Sequence, residues 1–151
     1  MKLLIEMILA VTLTMTALVA AHATDVGISV GFWTEHMLND GPDLNEKNEL
    51  VQITLYDARD VVDDSRYFTT GGTFINSHYV RSYFAGAGKE FVLIDDTASI
   101  GVFIAGVKGY EGHVPTMYKG IIFAPIAYFD YEFVRVTAMG SVVNTSVTYE
   151  F

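Results

Sequence analysis

The chain has 151 residues, a formal net charge of -9 and no cysteine. The charge argues against a nucleic-acid partner, because phosphates recruit Lys and Arg, and the absence of cysteine rules out a disulfide-stapled secreted fold. The length suits one domain.

Met1 to Ala23 opens with Lys2, continues through an apolar stretch and ends in Ala21-His22-Ala23, a small-x-small site of the kind signal peptidase cuts. A cleaved signal peptide over residues 1–23 is expected in preference to a retained transmembrane helix. Leu3 to Ala20 barely reaches the ~20 residues of a span and carries Glu6. The remainder, 24–151, is expected to be a single exported domain.

Beyond Ala23 no segment sustains a 3.6-residue apolar period, whereas period-two runs bounded by polar or Gly-containing clusters recur. The first predicted strand, Val26 to Met37, sets Ile28, Val30 and Phe32 against Gly27, Ser29, Gly31, Trp33 and Glu35. A polar loop from Asn39 to Asn48 follows. The second, Glu49 to Asp57, sets Val51, Ile53 and Leu55 against Gln52, Thr54 and Tyr56. The third, Arg66 to Asn76, contains Gly71-Gly72, read as a bend or bulge.

The fourth strand, Tyr79 to Phe91, is apolar or small on both faces, and the fifth, Ala98 to Lys108, alternates again. After the loop Gly109 to Met117, the sixth runs from Tyr118 to Tyr128 and is interrupted by Pro125, where the missing N–H predicts broken pairing. The seventh, Tyr131 to Met139, follows a turn at Asp130. The eighth, Val142 to Phe151, turns Asn144, Ser146, Thr148 and Glu150 to one face. Val143, Thr145, Val147, Tyr149 and Phe151 take the other, and the strand ends on an aromatic residue.

This pattern predicts an all-β fold: an eight-stranded antiparallel up-and-down transmembrane β-barrel in the bacterial outer membrane, each strand close to the ~9 to 11 residues that a tilted crossing needs. The alternative for a single two-faced strand, the edge of a soluble sandwich, does not account for the leader. An even strand number puts both termini on the periplasmic side, so His36, Asn76, Ser77, His78 and His113 gather at the outer rim. Strands four to six offer few polar groups to the lumen, so part of the interior is expected to hold hydrocarbon. Tyr110, Tyr118, Tyr128, Tyr131 and Tyr149 read as interface aromatics.

Three stretches, Phe74 to Gly88, Gly101 to Phe129 and the aromatic ending Thr148 to Phe151, resemble the lipid A palmitoyltransferase family (PagP). The residues that carry the likeness are Asn76-Ser77, Ala85-Gly86-Ala87-Gly88, Ala105-Gly106-Val107, Val114-Pro115 and Pro125-Ile126-Ala127, with His36 in the first strand placed like the family's histidine. The resemblance covers about the last half of the chain. It implies an acyltransferase moving a palmitoyl chain from a phospholipid to lipid A, with His36, Asn76 and Ser77 catalytic, and Gly88, together with Gly86, Gly101 and Phe103, shaping an acyl pocket. Asn76 departs from the family's aspartate: it can orient an imidazole but cannot stabilise imidazolium by charge. The family's amino-terminal amphipathic helix is also missing.

For acyl transfer, His36 suits a general base because its ordinary pKa lies near neutrality, and Ser77 suits a nucleophile or oxyanion donor. Consecutive strand residues face opposite ways, so Asn76 and Ser77 can serve one site only if the strand has already turned. The plainer readings are a solvated rim histidine and glycines that serve curvature. No cofactor or metal is expected: His78 and His113 with Glu35 or Glu111 carry no ligand spacing, and the run from Asp43 to Glu49 lacks the glycine and final glutamate of a calcium loop. Phospholipid and lipid A are the expected partners of a monomer. The rival function is a non-enzymatic small barrel acting in surface masking or adhesion, which Asn76 favours.

Overall fold

A computed structural model describes residues 23–37, 44–60, 62–94, 97–112 and 120–151, and Thr14. Nearly all of the expected leader lies outside the described residues, as do His113 and Val114-Pro115.

The period-two segments form β1 (Asp25–His36), β2 (Leu50–Tyr56), β3 (Ser65–Ile75), β4 (Arg81–Ile94), β5 (Ala98–Lys108), β6 (Ile121–Tyr131), β7 (Val134–Met139) and β8 (Val142–Glu150). Each pairs antiparallel with its neighbours and β8 closes on β1, so the sheet has no free edge. The connections after β1, β3, β5 and β7 lie at one end, here called the rim; the chain enters β1 and leaves β8 at the other.

The exterior explains why the barrel closes this way. Ile28, Val30, Val51, Ile53, Val102 and Ile104 project outward in a mid-height band. Trp33, Tyr79 and Tyr83 stand exposed toward the rim, and Tyr67, Tyr131, Phe133, Tyr149 and Phe151 toward the opposite end. Tyr149 and Phe151 meet edge to face at 4.8 Å. Such an exterior is stable against hydrocarbon, where a closed sheet satisfies every backbone group internally, and the aromatic girdles suit the two interfaces. The barrel therefore belongs in a membrane, and a closed antiparallel barrel of even strand number belongs in the bacterial outer membrane.

The lumen is filled at mid-height and below. Phe68 packs against Tyr56, Phe103 and Tyr128 with ring centroids 5.9, 5.6 and 5.6 Å apart. Beneath this layer the Arg66 guanidinium lies 3.7 Å over the Tyr56 ring and Arg135 lies 3.9 Å over Tyr128. Glu90, fully buried, accepts from Arg66 Nε at 2.7 Å and from the Tyr128 hydroxyl at 2.6 Å. A buried carboxylate is tolerated only with such partners. The layer is a plug, so the molecule is not a pore.

Several strand details differ from expectation. Pairing of β3 runs unbroken through Gly71 and Gly72 on both sides, so there is no bulge there. Gly72 is needed instead because a side chain would collide with the Val51 carbonyl and the Phe84 ring. The bulge is in β1, where Gly31 pairs with Ser146 and Trp33 with Thr145, leaving Phe32 as the extra residue. Phe32 and Trp33 both face outward, Glu35 follows them, and Thr34 is buried. His36 thereby shares the inward side, which unbroken alternation with Phe32 would have denied it.

The turn expected at Asp130 lies instead at Glu132-Phe133, with Glu132 at φ 52°, so Asp130 belongs to β6 and faces the lumen. Pro125 leaves the β5 ladder intact, but pairing of β6 with β7 begins only at Ile126. The fourth strand is also less apolar than expected, since Ser82 and Glu90 are buried on its inward face.

Candidate functional site

At the rim, His36 Nε2 and Ser77 Oγ lie 2.6 Å apart. β1 delivers the imidazole past its bulge, and Ser77 follows the end of β3 at Ile75. The condition that the strand turn before position 77 is met by Asn76. Its Oδ1 accepts from the amides of His78 at 2.8 Å and Val80 at 3.1 Å, and its own amide donates to Val80 O at 2.9 Å. An asparagine side chain bonding its following backbone is a recurrent way to reverse a chain.

Asn76 does not reach His36. Its Nδ2 donates to Ser82 Oγ at 3.0 Å and to Gly109 O at 2.7 Å, tying together the rim ends of β4 and β5. Among the described residues no carboxylate bonds the second ring nitrogen of His36. The sequence-expected trio is thus a His36–Ser77 pair held up by Asn76.

Two groups given other roles above complete the rim: the segment before β2, and Tyr110, which like Tyr128 is buried inside the barrel and not exposed as an interface aromatic. Tyr110 hydrogen-bonds Ser77, and burial pushes its hydroxyl pKa upward, an effect that the Ser77 bond partly opposes. The His78 and Tyr110 rings stand nearly perpendicular, with centroids 6.3 Å apart. The segment before β2, dismissed above as a calcium-loop mimic, folds across the mouth. Asn45 N donates to Ser77 O at 3.0 Å, and Asn45 Nδ2 donates to Asn76 O at 3.2 Å. The signal was available: Asn45 and Asn48 each accept from the amide two residues on, both at 3.0 Å.

Below the pair opens a small cavity of about 80 Å³. Phe74, Phe84, Phe103, Val107, Ile126 and Met139 form one wall, mainly from β3 to β6. Thr34, Asn48, Gln52, Thr137 and Asn144 stand on the other side, from β7, β8, β1, β2 and the approach to β2, interspersed with Leu50 and Val142. The apolar wall lies where the sequence of strands four to six called for hydrocarbon.

Of the residues expected to shape an acyl pocket, Phe103 lines this cavity, and Gly86, Gly88 and Gly101 do not. Gly88 sits in register with Phe68 and Phe103 in the aromatic layer, where a side chain would strike Phe103 and the Val102 carbonyl. Gly86 abuts Ala105 and the Ile104 carbonyl, and the space beside Gly101 is filled by the Tyr128 ring.

At the opposite end, carboxylate oxygens of Glu90, Asp130 and Glu150 approach within 4.8 Å of one another. Arg66 engages Glu90 and Glu150, each at 2.7 Å, and Arg135 engages Asp130 at 2.6 Å, so two guanidinium groups offset much of the charge of the three carboxylates.

No protein-family model matches the chain, and no curated protein matches it. Among solved structures, the outer membrane protein Ail of Yersinia pestis, determined as a backbone structure in a phospholipid bilayer nanodisc, is similar at 11% identity and a TM-score of 0.45, over 84% of this chain and 99% of that one. What the strands, their closure and their apolar exterior establish by themselves is a small eight-stranded antiparallel barrel of the outer-membrane type.

Proposed function

We propose that this barrel is an acyltransferase that takes an acyl chain from a phospholipid and passes it to lipid A. The observation that carries the reading is the His36–Ser77 hydrogen bond, 2.6 Å long, at the mouth of a cavity with one hydrocarbon wall. Ser77 Oγ attacks the phospholipid ester carbonyl while its proton passes to His36 Nε2. The tetrahedral intermediate then expels the lysophospholipid alkoxide, which takes that proton, and the acyl group rests on Ser77. A hydroxyl of lipid A attacks the acyl-serine, giving its proton to His36, which returns it to Ser77 Oγ. The apolar wall holds the chain during both halves.

With no carboxylate among the described residues on its other nitrogen, His36 orients and stabilises its imidazolium less well than a triad histidine does, so a slow enzyme is expected. The test is mass spectrometry of lipid A from cells making the protein. An added acyl chain that His36→Ala and Ser77→Ala both abolish supports the reading. No added mass, or a gain indifferent to both substitutions, sinks it.

A second reading, a barrel without catalysis that acts by occupying the surface, is favoured by Asn76, whose hydrogen bonds all serve the loop and neighbouring strand ends.

A further inference from the structure

The rim cavity presents a mainly apolar surface with a few polar groups set into it. Most of these already have partners: Gln52 Nε2 donates to Thr70 Oγ1 at 2.8 Å, and Asn48 Oδ1 accepts from Leu50 N at 3.0 Å. Asn144 differs. Its Nδ2 donates to Trp33 O at 2.9 Å and lies 3.5 Å from Thr34 Oγ1, while its Oδ1 has no protein partner although the residue is only 8% exposed. The bond to a carbonyl fixes which end of the amide is which, since turning it over would set oxygen against oxygen.

The register places the group in depth. Asn144 pairs with Thr34, and Val142 with His36, so Asn144 lies two residues below the histidine, roughly 7 Å along the strand. A buried acceptor pressed against methylene groups is penalised, whereas a ligand hydroxyl removes the penalty. Sites built around a ligand hydroxyl reject the analogue lacking it far better than apolar pockets reject an added group.

Building on the acyl-chain reading above, we propose that the lumen selects a hydroxylated acyl chain, whose hydroxyl, a few carbons from the ester, donates to Asn144 Oδ1. The polar strands of the barrel then set chain chemistry, and the apolar strands hold the rest of the chain.

The test uses the full protein in phospholipid nanodiscs, with a fluorescent polyene fatty acid displaced either by hexadecanoic acid or by a derivative hydroxylated at about carbon 6, which matches the depth of Asn144. The hydroxy acid is expected to bind about tenfold more tightly, the worth of one satisfied buried hydrogen bond. Asn144→Leu, checked for folding by heat-dependent gel mobility, is expected to erase that preference and still bind the plain acid. Equal affinities of the two acids for the unsubstituted protein overturn the hydroxyl assignment and leave the acyl-chain reading standing; this comparison needs no variant. A preference that survives in folded Asn144→Leu overturns the role of Asn144. Failure of the polyene and both acids to bind overturns the acyl-chain reading and this inference together.

Discussion

Asp130 and Arg135 stand opposite each other in the β6–β7 ladder and exchange two hydrogen bonds inside the lumen, Nε to Oδ1 at 2.7 Å and Nη2 to Oδ2 at 2.6 Å. Arg135 also donates to the Tyr56 hydroxyl at 3.0 Å, so one buried cation joins β7 to β6 and β2. Removing only the carboxylate, as in Asp130→Ala, leaves that cation unbalanced and is expected to cost roughly 3 to 5 kcal/mol. Replacing both partners, as in Asp130→Leu with Arg135→Met, is expected to cost much less. Urea unfolding in lipid vesicles measures both; a double variant as weak as the single one contradicts the account.

The space beside Gly101 is occupied by the Tyr128 ring, whereas the nearest atoms to a side chain at Gly106 would lie at 3.5 Å, an ordinary contact. Gly101→Ala is therefore expected to destabilise the barrel by about 1 to 3 kcal/mol through overpacking, and Gly106→Ala to be close to neutral. The unfolding midpoints of the two variants check this. Unchanged stability in Gly101→Ala would show that Tyr128 does not hold that position.

Asp63, in the turn between β2 and β3, has its carboxyl pKa lowered first by a hydrogen bond from Lys89 and then by one from Ser65. A lowered folded-state pKa gives stability that is present above the ordinary aspartate value, about 4, and is lost as pH falls through the folded value. The gap in stability between the natural protein and Asp63→Asn is expected to be small, because the group is exposed, and to vanish in acid. A gap independent of pH counts against the pairing.

Tyr110 shows the opposite sign. Burial raises its hydroxyl pKa, so the folded barrel holds the phenolic proton more tightly than the unfolded chain does. Stability relative to Tyr110→Phe is thus expected to be fully present below the ordinary tyrosine value, about 10, and to decline as pH rises beyond it. Unfolding of both proteins through the alkaline range checks the sign.

The lipid-facing pattern was readable in the sequence because it is local. Val51, Ile53 and Leu55 against Gln52, Thr54 and Tyr56 specify β2 without knowledge of any neighbour, and β5 falls at its predicted bounds, Ala98–Lys108. The His36–Ser77 pairing was reached through the resemblance and the rim argument. The plug was not legible: Arg66 meets Glu90 and Glu150 across 24 and 84 residues of chain, and no short window contains such partners. The turn at Glu132-Phe133 escaped notice because neither residue is a turn former, while Asp130, which is one, is held inside the lumen by Arg135.

The bulge at Phe32 makes the environment of the rim imidazole a matter of counting. Deleting either Phe32 or Trp33 shortens β1 to a regular strand and leaves every later side chain on its present side, whereas one residue added between Trp33 and Thr34 sends His36 into lipid unless a second bulge absorbs it. Composition and hydropathy would scarcely register the difference between those two sequences. A single inserted codon at this spot thus separates a barrel whose histidine meets a serine from one whose histidine meets only the bilayer.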